Sequence, residues 1–175
     1  MTQNIYIISG GPGTGKTSVI KELKKKGFRV LDEAARKIAL KDSRFISKNI
    51  KEINPVKFQK AIFELQRKSY LRIKPSKLIF SDRGFGDTLA YYKINNLRIP
   101  KEKFDYAKKF RFNKIFILNP LSFYVTDELR TESKKEQRII QKEIINMYKK
   151  LDYKPIKVPP NSIKERVDFI LKNMG

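Results

Sequence analysis

The chain has 175 residues, 40% of them hydrophobic, and carries 40 Lys+Arg against 18 Asp+Glu for a net charge of +22. With no cysteine and no histidine it has no disulfide framework, no thiolate metal site and no imidazole base, so acid–base chemistry must rest on carboxylates, lysine or tyrosine. The sequence holds no run of about 18 apolar residues to span a membrane, and its first apolar run, "IYII", is too short for a secretory leader, so a cytoplasmic location is expected.

In chain order, "IYIIS" (5–9) predicts a buried strand, and the glycine run after it opens a helix from about Gly15 to Lys26, stopped at Gly27. "FRVLD" (28–32) predicts a second strand, followed by a short helix from Glu33. A longer helix follows Pro55, with Phe58, Ile62, Leu65 and Ile73 at roughly helical spacing, and Pro75 closes it. "KLIFSD" (77–82) is a third strand, "GDTLAYYKI" a further helix, "KIFIL" (114–118) a fourth strand and "PIKV" (155–158) a short fifth. Capping boxes at Ser133–Glu136 and Ser162–Glu165 announce the last two helices, the first with Ile140, Ile144, Met147, Tyr148 and Leu151 on one face. Strand–helix alternation of this kind predicts an α/β fold over a single domain, residues 1–175, with a parallel sheet between two helical layers. Ligands of such sheets sit at the carboxyl ends of the strands, so the residues just after each strand matter most.

After the first strand, Gly10-Gly11-Pro12-Gly13-Thr14-Gly15-Lys16-Thr17 fits G-x-x-x-x-G-K-[ST]. Glycines let backbone N–H groups approach phosphate oxygens, and the helix start aims its positive end at the same anion. Lys16 is then expected on the β- and γ-phosphates and Thr17 on Mg²⁺, with Ser18 completing the nucleotide-binding run.

After the third strand stands Asp82, placed for a second Mg²⁺ contact, and then Arg83. Motor-type and AAA+ ATPases usually carry a water-polarising glutamate in the place of Arg83. A cation cannot activate water but can hold an acceptor or a transferring phosphoryl group, which favours transfer over built-in hydrolysis. After the second strand, Glu33 is the candidate base, with Arg36 on the same helix face as a candidate acceptor contact, and Asp32 reads as the last strand residue. Gln66 and Arg67, on the long helix, are candidate acceptor-pocket residues, and the aromatics of "GFGDTLAYY" serve either to stack on a base or to fill the core. "NPLSFYVTDELRTESKKEQR" after the fourth strand reads as a lid around 121–138, with Asp127, and with Arg130 and then Arg138 as candidate phosphate contacts. The +22 charge fits a polyanionic partner such as RNA, DNA or an acidic membrane surface, and equally a compositional bias, because the basic residues are spread along the whole chain.

On "ISGGPGTGKTSVI", "VLDEAARKI", "IFSDRGFGDTLAYY", "DELRTES" and the closing "YKPIKVPPNSIKERVDFIL", the chain resembles the P-loop family of AAA-domain predicted ATPases related to the ribosylnicotinamide kinase domain of NadR regulators. The resemblance implies a three-layer nucleoside- or nucleotide-kinase-like fold with a five-stranded parallel sheet in the order 2-3-1-4-5. It also implies ATP or GTP with Mg²⁺, Gly10 to Ser18 as the nucleotide site, Asp82 as the metal residue, Glu33 and Arg83 facing the acceptor, and Arg130 in a lid. Asn119-Pro120 stands where a guanine-reading N-K-x-D element would begin, so ATP is the default and GTP the alternative. Three functions follow: a kinase of a small nucleoside- or nucleotide-like acceptor, a nucleotide-binding switch or slow NTPase with a macromolecular partner, and a kinase of polynucleotide ends or other nucleic-acid-associated ATPase.

Overall fold

The structure, a computed structural model, describes residues 2–41, 54–74, 76–121 and 133–175. Its elements are β1 (Thr2–Ser9), α1 (Lys16–Lys25), β2 (Val30–Leu31), α2 (Ala34–Lys41), α3 (Pro55–Leu71), β3 (Ile79–Asp82), α4 (Phe85–Ile94), α5 (Lys101–Lys109), β4 (Arg111–Leu118), α6 (Lys134–Lys150), β5 (Ile156–Val158) and α7 (Ile163–Lys172). The strands form a five-stranded sheet in the order β2-β3-β1-β4-β5, every neighbouring pair parallel. β1 is central, with Ile7 opposite Ser81 of β3 on one side and Ile115 of β4 on the other. The chain therefore leaves β1 where the strand order reverses, which is where a parallel sheet opens a crevice.

Alternation along the strands builds the two outer layers. Ile5, Ile7, Ile79, Ile115 and Ile117 pack with Phe63 of α3, Leu89 of α4 and Ile144 of α6. Their neighbours Tyr6, Ile8, Phe80, Phe116 and Leu118 pack with Val19 and Leu23 of α1 and Val167 and Ile170 of α7. Both faces are covered, which is why "IYII" and "IFIL" are apolar without interruption. α4 is buried nearly all round, from Phe85 to Ala90 and again at Tyr92, and is wedged among the helices of its layer. Phe85 lies 4.7 Å from the Phe63 ring and edge-on to Tyr70 at 5.1 Å, so this aromatic belongs to the core.

β1 starts at Thr2, three residues before the expected run, and β3 at Ile79, two residues after the expected start. Three further departures have a visible cause. The second strand shortens to Val30–Leu31, because Phe28 turns to pack edge-on against Phe80 at 5.4 Å. β4 starts at Arg111, three residues before the apolar run, and Arg111 is anchored there by bonds to the carbonyls of Leu151 (2.8 Å) and Asp152 (3.1 Å). α5 is an added helix. It buries Lys103, whose ammonium donates to Glu64 at 2.9 Å and lies 4.7 Å from the Phe63 ring centre. Among the described residues no helix is long and apolar enough to cross a membrane.

Candidate functional site

The loop between β1 and α1 takes the conformation its glycines permit. Gly13 and Gly15 have φ of 74° and 73°, the left-handed region that side chains other than glycine's resist. The outer side of the loop is tied down. Gly11 N–H donates to Gln141 Oε1, whose amide donates to the Leu118 carbonyl at 3.0 Å. Arg166 of α7, fully buried, donates from Nη1 to the Thr14 carbonyl (2.7 Å) and from Nη2 to the Asn119 carbonyl (3.0 Å). Held this way, the loop borders a cavity of about 290 Å³ lined by Pro12, Gly13, Thr14, Gly15, Lys16, Thr17, Glu33, Arg36, Arg83 and Tyr91. Gly10, Gly11 and Ser18 lie outside that lining.

Charge in this cavity is held at a cost. Burial and the nearby Arg83 guanidinium bring Lys16 down to about 8. Burial, only partly offset by Lys16, pushes Asp82 up to about 6, and its Oδ1 is buried without a hydrogen-bond partner among the described residues. An orphaned carboxylate oxygen close to the Lys16 charge fits a hard cation, and with the Thr17 hydroxyl it would give the sparse oxygen set that Mg²⁺ accepts when phosphates complete its shell. Asp82→Asn is therefore expected to raise the melting temperature of the nucleotide-free protein by about 2–6 °C, by removing a charge whose Oδ1 is buried without a partner, and to abolish any Mg²⁺ dependence of nucleotide binding. Thermal denaturation with and without Mg²⁺ checks both; a lower melting temperature would mean that Oδ1 is satisfied after all.

Arg83 is one of three non-glycine residues among those described with positive φ, at 68°. The strain is held by its backbone bonds: its N–H donates to Ile8 O (3.0 Å), and its carbonyl accepts from Ser81 Oγ (2.8 Å) and Tyr70 OH (3.1 Å). The guanidinium then reaches over the end of β1. Nε donates to Glu33 Oε1 at 2.7 Å, and Nη1 to Asp87 Oδ1 at 3.1 Å and to the Gly10 carbonyl at 3.3 Å. Burial favours the protonated acid at Glu33, but the Arg83 and Lys16 charges outweigh it and hold the carboxyl below the usual range.

A second cavity, of about 150 Å³, opens on the other side of this ion pair. Its walls are Glu33, Ala34, Ala35, Phe58, Gln59, Ile62, Gln66, Arg83, Asp87, Thr88 and Tyr91. Glu33, Arg83 and Tyr91 border both cavities. Gln66 is held in the wall by Thr88, whose hydroxyl donates to its Oε1 at 2.9 Å.

The residues expected from the sequence thus separate. Lys16, Thr17, Glu33, Arg83 and Gln66 converge on the two cavities, whereas Asp82, half-buried at the strand end near Lys16, lines neither. Arg36, expected at the acceptor, lines the P-loop cavity instead. Arg67 is turned away from its neighbour Gln66, pairing with Glu64 at 3.6 Å and lying 5.1 Å from the Tyr106 ring centre, because adjacent helix positions point about 100° apart. Arg138 is exposed on α6, beside a shallow groove with Lys134, Lys135, Ile139 and Lys142. Asp127 and Arg130 lie outside the described residues. Asp32 is exposed and paired with Lys24. Asp87, Gln141, Tyr148 and Arg166 were not singled out from the sequence as site residues; their buried polarity comes from partners far along the chain.

A glycine-rich loop after the central strand of a 2-3-1-4-5 sheet, with a carboxylate–arginine pair just beyond the ends of β2 and β3, gives the chain a P-loop fold of the nucleoside- and nucleotide-kinase-like type. The chain belongs to the family described as AAA domain, whose model matches residues 5–166. Among solved structures it is similar to a deoxyadenosine kinase from M. mycoides with bound dATP, at 18% identity and a TM-score of 0.66 over 96% of this chain and 97% of that one. It is also similar to thymidylate kinase from Ehrlichia chaffeensis, at 14% identity and a TM-score of 0.66 over 99% of each chain. NadR protein in complex with NR gives a TM-score of 0.70 at 17% identity; the match covers 99% of this chain and 52% of that one, so this chain spans about half of NadR. No curated protein sequence matches it significantly.

Proposed function

We propose that the protein is an ATP- and Mg²⁺-dependent kinase that moves the γ-phosphoryl group to a hydroxyl of a small, uncharged, nucleoside-like acceptor. The observation that carries this reading is the pair of cavities meeting at Glu33, Arg83 and Tyr91, one bordered by the P-loop and the other by aromatic, aliphatic and amide side chains. Phosphoryl transfer needs donor and acceptor in line on either side of the migrating group, and most of its catalysis is positioning and charge stabilisation.

In this reading the P-loop and Lys16 hold the phosphates, and Thr17 and Asp82 would hold the cation, which when bound neutralises charge on the phosphate oxygens. Glu33, ionised at neutral pH, orients the acceptor hydroxyl and takes its proton as the bond to phosphorus forms. Arg83 fixes Glu33 through Nε and supplies positive charge beside the transfer path. Tyr91 and Phe58 provide apolar surface for a flat ring, and the Gln66 amide provides polar contact. Among the described residues, the acceptor-side wall carries two carboxylates, Glu33 and Asp87, for one guanidinium, so a phosphate already on the acceptor meets an unfavourable field. This favours a nucleoside-like over a nucleotide-like acceptor. ATP is preferred to GTP because no guanine-reading motif follows β4.

Labelled ATP and Mg²⁺, offered with a panel of nucleosides and the matching monophosphates, test the proposal. The expected product is a singly phosphorylated nucleoside. Release of inorganic phosphate alone would replace the kinase reading with that of a slow NTPase or nucleotide switch.

A further inference from the structure

Asp87, in the first turn of α4, is 1% exposed, and its carboxylate accepts from four donors on three parts of the fold: the end of β1, the β3–α4 turn and α6. Oδ1 takes Ser9 Oγ at the end of β1 (2.5 Å) and Arg83 Nη1 (3.1 Å). Oδ2 takes the Gly84 N–H (3.0 Å) and the Tyr148 hydroxyl of α6 (2.6 Å). The Gly84 bond caps α4, but capping needs none of the other three. Space is reserved for this arrangement: a Cβ on Gly84 would lie 2.9 Å from the Tyr148 hydroxyl, and one on Gly86 2.5 Å from its ring. Burial and the Asp87 charge push Tyr148 well above the usual phenol range, so the hydroxyl remains a donor.

These bonds connect α6 to the reaction centre. Gln141 and Tyr148 are seven residues apart on one helix face, both buried. Gln141 holds Gly11 at the base of the P-loop, while Tyr148 holds Asp87, which holds Arg83, which holds Glu33. We propose that Asp87 and Tyr148 are positioning residues that set the orientation of the Arg83–Glu33 pair, and that α6 thereby fixes this pair relative to the P-loop. The kinetic consequences rest on the phosphoryl-transfer reading above; the structural ones do not.

Tyr148→Phe tests the proposal with the least disturbance, since the ring stays in place and only the bond to Asp87 is lost. At saturating substrates kcat is expected to fall about tenfold while KM for ATP stays within about twofold. In a Glu33→Gln background the same substitution is expected to change kcat by less than about twofold, because its effect runs through Glu33. Asp87→Asn is expected to lower kcat by about a hundredfold, as it removes the anion facing Arg83. If Asp87→Asn does not fold, Tyr148→Phe alone decides. Independently of turnover, nuclear magnetic resonance of ¹⁵N-arginine-labelled protein should show the Arg83 Nε–H exchanging about tenfold faster with solvent in Tyr148→Phe than in the parent. An unchanged exchange rate, or an equal loss of kcat with and without Glu33, would overturn the proposal. If the parent phosphorylates no acceptor, the kinase reading falls and the exchange measurement still decides this one.

Discussion

Replacing Lys16 with alanine is expected to lower kcat/KM for phosphoryl transfer by about 10²–10³-fold while leaving the melting temperature of the nucleotide-free protein nearly unchanged. The two halves of this expectation have one cause. Without nucleotide, the Lys16 ammonium has lost hydration and faces the Arg83 guanidinium, which together bring it down to about 8. Its charge is therefore a cost to the free protein, and its removal offsets much of the packing lost with the side chain. When phosphates enter the 290 Å³ cavity, the same desolvated charge gains a strong partner in a site with little competing water. Transfer kinetics, set beside titration with a fluorescent ATP analogue and thermal denaturation of the same samples, check both halves. A variant that binds nucleotide as tightly as the parent would remove Lys16 from the phosphate site.

Much of this site was legible because its signals are local. The P-loop needs consecutive residues of fixed type, and Asp82 and Glu33 stand where apolar runs end, so pattern alone places them at one edge of the sheet. The boxes at Ser133 and Ser162 gave the last two helices their first turns, both observed with the reciprocal bonds expected. Interactions between distant residues were not legible. Tyr148 reads as one more large residue on the buried stripe of α6, and its hydroxyl partner is 61 residues away. Arg166 follows the acid of a capping box and reads as a surface cation, yet it is fully buried with its guanidinium on the carbonyls of Thr14 and Asn119. α5 was missed because its inward face is Lys103 and Ala107, and a lysine counts as polar until Glu64 and the Phe63 ring are brought to it. Gln66 and Arg67 illustrate the middle case: helical geometry separates them, but the sequence leaves open which one faces the cavity.

Glu33→Gln carries the largest expected loss, about 10²–10⁴-fold in kcat, with ATP affinity unchanged or slightly tighter. Glutamine keeps the shape of the side chain and an acceptor oxygen for Arg83 Nε, so the 2.7 Å contact has a neutral substitute and the pocket wall stays in place. In the proposed mechanism what disappears is the site for the acceptor's proton, and in a chain without histidine no imidazole can take it over. The sign of the ATP effect follows from the charges. Glu33 partly neutralises both Arg83 and Lys16, and without it both cations face the incoming phosphates more fully. A kcat loss with preserved or improved ATP binding is thus the signature of a carboxylate serving the acceptor, whereas parallel losses in both would mark a residue that shapes the P-loop. Single-turnover transfer from labelled ATP, compared with equilibrium binding of the same nucleotide, separates the two outcomes. If kcat is retained, the ion pair with Arg83 is a structural tie between β2 and β3, and the acceptor hydroxyl gives up its proton without Glu33.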